Sequence, residues 1–298
     1  MSFYGQDQPT SYFSAPAANL DPKLFQGRQL QSWVRKGILS LLHDFLSLNY
    51  RHSDLWAHPW LAGSGVSYQW SADRHPGDLD CLVGVDFVQF RKANPEFRGL
   101  SDKEIADEIN EGFRNELQGQ TSNWNGYELT FYVNPTATDI RAIKPYAAYD
   151  LKFDEWTVAP DPTQQAPHNA AWEAVVENDY KATKQVHKRF TAALMDVQTS
   201  HGGAAQRNAE VRLHAAASQA IAMYDEIHGS RGEAFSNTGE GYADFHNYRW
   251  QGGKRTGTVD LLRQIRENIK QLPSTNYGVE LPDTATLIRR AALHSRSI

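Results

Sequence analysis

The chain of 298 residues contains a single cysteine, Cys81. It can form no internal disulfide, and one thiol fits a reducing compartment, so the cytoplasm is the expected location. Long apolar runs are missing, and none approaches the roughly 20 residues that cross a bilayer. The opening stretch "MSFYGQDQPTSYFSAPA" has neither the basic region nor the apolar core of a secretory signal. Basic residues are not in excess: 30 Lys and Arg against 35 Asp and Glu give a formal net charge of −5. That balance argues against a protein that coats nucleic acid non-specifically and leaves room only for a local basic groove. No period of about 20 to 50 residues recurs, which argues against a solenoid or propeller. The eleven histidines fall at no zinc-motif spacing, and Cys81 lies inside a predicted strand, so zinc is not expected.

What is present indicates a folded chain. Eight Trp and thirteen Tyr, with 40% hydrophobic residues overall, are too many for a mainly disordered protein. Residues 1–27 are polar and small with scattered aromatics and are expected to form an arm. From Arg28 to Leu48, Leu30, Val34, Ile38, Leu41, Leu42, Phe45 and Leu48 recur at helical spacing and predict a long amphipathic helix, weakened slightly by Gly37. "HPWLAGSG" predicts a short strand opened by Pro59 and ended by a glycine turn. "DLDCLVGVDFVQF" predicts a second strand, with Leu79, Cys81, Val83 and Val85 on one face and Asp78, Asp80 and Leu82 on the other.

"SDKE" at 101–104 is a capping-box pattern opening a helix to about residue 118, with Ile105, Ile109, Phe113 and Leu117 as its buried stripe. "NWNGYELTFYVNP" predicts an Asn-Gly turn and a strand, and "AAYDLKFDEWTV" a further strand pair. Three prolines in "APDPTQQAPHN" mark residues 159–169 as a linker between a core at 28–158 and a helical domain at 170–298. In that domain the stripe Trp172, Val176, Tyr180, Thr183, His187, Phe190, Leu194 and Val197 predicts one long helix, and 204–228, 256–272 and 283–296 predict others.

The chemistry-bearing pattern is "AGSG" at 62–65 followed by "DLDCLV" at 78–83. Two carboxylates two apart on a strand point the same way and can share a ligand. A strand, a Gly-Ser turn, a loop and then a strand with Asp-x-Asp resembles the signature of the DNA polymerase β-like nucleotidyltransferase superfamily, over roughly residues 28–158. The resemblance implies an α+β fold: a small mixed sheet carrying three carboxylates, with helices, followed here by the mainly helical second half. It also implies Mg²⁺-dependent transfer of a nucleoside monophosphate from an NTP, ATP among them, to a hydroxyl acceptor, with release of pyrophosphate.

Such transfer uses two divalent ions, Mg²⁺ or Mn²⁺, about 3.5 to 4 Å apart. Hard cations take oxygen ligands, and Asp78 and Asp80 suit them. Gly63 and Ser64 would hold the triphosphate, because a residue without Cβ lets backbone N–H groups approach phosphate oxygens. The third carboxylate is expected on a later strand. Glu128 is the favoured candidate, although many members of the superfamily carry Asp there, and Asp139 and Asp150 are the alternatives.

In the second half, "YADFHNYRWQGGKRTG" combines Arg249, Lys254 and Arg255 with His246, Tyr248 and Trp250. It reads either as a clamp for the NTP or acceptor, with Lys254 and Arg255 on phosphates, or as an interhelical loop packed by its aromatics. His75 precedes Asp78 in a loop and has a weak claim to substrate contact; His187 reads as a core or boundary residue. Ser64 does not sit in a nucleophile elbow, which needs Gly-x-Ser-x-Gly between a strand and a helix. The acceptor, an RNA 3′ end, a protein or a small molecule, is not legible, nor are the preferred NTP and the oligomeric state. No membrane partner is expected.

Overall fold

The computed structural model describes residues 11–73, 77–200 and 202–270. The predicted helix at 283–296 and His75 lie outside them. The fold is α+β, a mixed sheet with helices followed by a helical C-terminal region. The chain divides into two compact units. Among the described residues, one spans Ser14–Gln165; the other spans residues 166–270 and includes the segment ending at Phe13. Among the described residues, no helix is long and apolar enough to cross a membrane.

In the first unit a small hairpin, β1 (Phe25–Gln26) and β2 (Gln29–Leu30), precedes α1 (Ser32–Asn49). The predicted start of the helix at Arg28 is therefore corrected. Gly27, at φ +62°, turns the chain within the hairpin, which claims Leu30 as a buried strand residue. Val34, Ile38, Leu42 and Phe45 form the buried stripe, each worth about 1.5–3 kcal/mol on burial. Leu48, also predicted for that stripe, is 81% exposed. Gly37 has a packing reason: a Cβ there would come within 2.7 Å of the Trp124 ring, which stacks on Trp33.

After the short α2 (Ser53–Trp56), β3 (Ala57–Ala62) runs antiparallel to β4 (Gly77–Val85). Pro59 lies inside β3, not at its start. Its carbonyl accepts from Leu151 N at 3.1 Å. A strand residue's N and O point to the same side, so the missing N–H falls outside the β3–β4 ladder. The predicted second strand is also shorter than expected. Asp86 ends it by accepting from Val88 N and Gln89 N, which caps α3 (Phe87–Ala93). The capping box at Ser101 and Glu104 opens α4 (Asp102–Gly112), which continues through a π-helical turn at Phe113–Leu117 into α5 (Gln118–Thr121).

Then β5 (Tyr127–Tyr132) pairs in parallel with β4, while β6 (Ala148–Asp150) and β7 (Glu155–Val158) extend the other side. The strand order is β5-β4-β3-β6-β7. Leu61, Leu79, Cys81, Val83 and Val85 form one core with the buried residues of α1 and α4. The opposite face of the sheet carries Asp78, Asp80 and their neighbours.

The helical unit contains α6 (Ala170–Thr199), α7 (Gly203–Ala234), α8 (Phe245–Arg255) and α9 (Thr258–Lys270). The stretch at 242–257 is thus mostly helix, capped by Asp244, and not a loop. Val186 and Phe190 of α6 pack with Leu213, Ala220, Trp250, Leu262 and Ile265. His187 is half-buried at the edge of that stripe. Tyr12, in the segment ending at Phe13, packs against Tyr242 in the same unit.

One buried hydrogen bond ties the segment before α1 to the sheet. Tyr127 Oη donates to Asp21 Oδ2 at 2.6 Å, and Asp21 Oδ1 accepts from Lys23 N. Burial, and then the Asp21 bond, push the phenol well above its ordinary pKa. Tyr127→Phe leaves a buried carboxylate oxygen without its donor, and a loss of about 1–3 kcal/mol is expected in urea denaturation. Asp21→Asn, which keeps an acceptor for the phenol, should cost less; an unchanged midpoint for Tyr127→Phe would contradict this account.

Candidate active site

The glycines of "AGSG" are required by what they touch. Gly63 follows β3 at φ +90° and ψ −163°, a conformation essentially confined to glycine. A Cβ there would lie 3.0 Å from Asp80 Oδ2. Ser64–Val66 form a tight turn in which the Ser64 carbonyl accepts from Ser67 N and Oγ. A Cβ on Gly65 would strike the Asp78 carbonyl oxygen and lie 2.8 Å from Leu79 Cδ2. Gly77 makes room for the Tyr127 ring in the same way. The turn after β3 is therefore packed directly on the strand that carries the two aspartates.

Register brings most of the predicted residues together. Asp80 is paired with Ala62 on β3 and with Thr130 on β5, while Asp78 is paired with Glu128 in the parallel ladder. Asp78 and Asp80 are half-buried and Glu128 is exposed. Among the described residues, no three His, Cys, Asp or Glu side chains converge as a metal cage. Asp78, Asp80 and Glu128 offer carboxylate oxygens, the chemistry that a hard divalent ion takes, and the Gly63 turn keeps the Asp80 side chain uncovered by a Cβ.

The two alternative third carboxylates have other work. Asp150 is 5% exposed, and its Oδ2 meets His58 Nε2 at 2.7 Å. Its Oδ1 accepts from the backbone N–H groups of Lys152 and Phe153. Asp139 caps a short turn through Arg141 N and pairs with the Arg141 guanidinium, which holds its carboxyl below the usual range. Asp150 is also separated from the Asp78–Asp80 strand by β3. Glu128 is the candidate that stands beside that pair.

Lys254 and Arg255 are on α8 of the helical unit. Arg255 pairs with Glu173 and lies 4.2 Å from the Phe13 ring centroid, and Lys254 stands over the Trp250 ring. Arg249 is engaged by Asp179 and Glu226. Cys81, beside Asp80 in sequence, is fully buried, and burial followed by the Asp80 charge pushes its thiol far up, so it is no nucleophile.

A cleft of about 900 Å³ on the same sheet face was not legible in the sequence. It does not include Asp78 or Asp80. Its floor is Trp60 with His58 stacked on it at 4.2 Å between centroids, and Asp150, Asp139 and Arg141 line its side. Trp60 precedes Ala62 by two residues on β3, roughly 7 Å along the strand, so the cleft lies close to the carboxylate edge. Gly84 supports it, since a Cβ there would meet the Trp60 ring at 2.6 Å. The signal available in the sequence was the alternation of His58, Trp60 and Ala62 with the buried Leu61; what remained hidden was that Asp150 comes to lie beside His58.

No protein-family model, curated protein or solved structure matches the chain. The geometry of the Gly63 turn gives a direct test. Gly63→Ala is expected to cost about 2–3 kcal/mol of stability, because it forces a side chain into a glycine-only conformation against Asp80. Gly27→Ala, at φ +62° with nothing within 4 Å of the added Cβ, should cost about 1 kcal/mol. Equal losses in thermal or urea unfolding would show that the Asp80 contact does not constrain the turn.

Proposed function

We propose that the chain is a metal-dependent nucleotidyltransferase that moves a nucleoside monophosphate from an NTP to a hydroxyl acceptor and releases pyrophosphate. The observation that supports this most is the glycine turn at the end of β3 packed on Asp78 and Asp80, which face the same side of the sheet next to Glu128. Asp78 and Asp80 would hold Mg²⁺, with Glu128 or phosphate oxygens completing the ligand set. Such ions, when bound, neutralise charge on the triphosphate and lower the pKa of a bound hydroxyl.

The chain's own groups do the rest. The backbone at Gly63 and Ser64 binds the triphosphate, and the cleft beside Trp60 offers room for one of the two substrates. The acceptor oxygen attacks the α-phosphorus, and the bond from that phosphorus to the bridging oxygen of the β-phosphate breaks. Pyrophosphate leaves with the electron pair. The acceptor proton passes to water or to a carboxylate, for which Glu128, the exposed member, is the proposed acceptor. Catalysis is then chiefly positioning and charge stabilisation.

One observation favours a second reading, an inactive nucleotide-binding module of the same fold: no three-carboxylate cage is assembled among the described residues. The two readings part in one experiment, pyrophosphate release with each NTP and Mg²⁺, with and without cellular RNA. Release by the wild type and a loss of at least about a thousandfold in Asp78→Asn and in Asp80→Asn are expected, in line with removal of a principal charge-stabilising group. NTP binding without release under any of these conditions would support the inactive module. Glu128→Gln should lower kcat if Glu128 takes the proton, and unchanged turnover would remove it from the site.

A further inference from the structure

The helical unit brings together cations that are far apart in sequence. Arg231 of α7, Lys254 of α8 and Arg263 of α9 each stand 5.5–5.7 Å from the centroid of the Trp250 ring. Arg266, one turn after Arg263 on α9, lies 4.7 Å from the centroid of Tyr224, the neighbour of Trp250. Three other arginines of this unit are held by acids: Arg249 by Asp179 and Glu226, Arg255 by Glu173, Arg212 by Asp196. Arg231, Arg263 and Arg266 have no carboxylate partner among the described residues. Like charges gathered around two rings repel one another, and in a chain of net charge −5 such a gathering is not a consequence of composition.

The guanidinium forks of Arg231, Arg263 and Arg266 are what phosphate oxygens take. The aromatic rings are buried and serve as a base for the guanidinium groups, which leaves little ring surface for stacking nucleobases.

We infer that this face of α7, α8 and α9 docks the phosphate backbone of a nucleic acid through Arg231, Lys254, Arg263 and Arg266. Arg263 is exposed and Arg266 and Arg231 are half-exposed, spread over three helices, as successive phosphates along a strand would require. If the proposed transfer is correct, the surface makes an RNA the acceptor; that corollary rests on the transfer reading, whereas binding does not. His228 is a built-in reporter. Its ring stacks on Tyr224, and partial desolvation and then the fields of Arg231, Arg263 and Arg266 hold its pKa below the ordinary value, opposed by Asp225. Phosphates bound there would cancel part of that field and raise it.

The test is binding of a short fluorescent single-stranded RNA to the full chain across a salt series. Arg263→Ala/Arg266→Ala is expected to weaken binding about tenfold or more and to lower the slope of log affinity against log salt by about two. Lys181→Ala/Arg212→Ala removes the same formal charge from cations paired with Glu177 and Asp196, and should leave affinity within about twofold. NMR titration of His228 should move to higher pH in the presence of the RNA. The titrations are run without NTP or Mg²⁺, which separates this surface from the fate of the transfer reaction. Absence of binding at low salt, equal weakening by both double variants, or binding of inorganic tripolyphosphate without the RNA would each overturn the assignment.

Discussion

The antiparallel ladder between β3 and β4 is the constraint on which the sheet unit depends. It fixes Ala62 opposite Asp80 and His58 opposite Gly84, and so decides which side chains share a face over six consecutive pairs. A slip of one residue would turn Asp78 and Asp80 into the core and push Cys81 and Val83 out of it. The cost of burying two carboxylates among Leu61, Ile105 and the α1 stripe makes that register unavailable. The same ladder sets where β3 must end, and the chain leaves it at Gly63 in a conformation that a side chain would obstruct. Fold and candidate site are thus specified by one pairing.

Much of this was legible in the sequence because it is local. Period-two alternation located β4 and its two faces, Ser101 and Glu104 marked the start of α4, and the Asn125-Gly126 pair marked the turn into β5. The errors were also local in kind. Asp86 lies in an apolar run that reads as strand, although its side chain can cap a helix, and the hydrophobic run through Phe87 and Phe90 fits either period over so short a span. Leu30 fitted a helical stripe by spacing yet was claimed by a hairpin that the φ +62° turn at Gly27 makes possible.

What the sequence hid is non-local. Asp150 meets His58 across two strands that are 92 residues apart in the chain, and no spacing rule marks that pair. The arginines at 231, 263 and 266 fall outside the basic and aromatic stretch at 242–257 that drew attention, while Arg249 and Arg255 inside it are held by acids. Trp250 gathers cations from two other helices as well as Lys254 of its own, and only packing shows which ones.

Charged side chains in this chain accordingly fall into two populations. Asp21, Asp139 and Asp150 have defined donors and serve turns, caps and a buried pair; Arg249 and Arg255 have defined acids and join helices. Arg231, Arg263 and Arg266 instead crowd together without carboxylate partners among the described residues. Folding alone does not reward that arrangement, since it concentrates charge of one sign and raises the energy of the ligand-free protein. Phosphates docked at that basic face, as proposed above, would offset that cost.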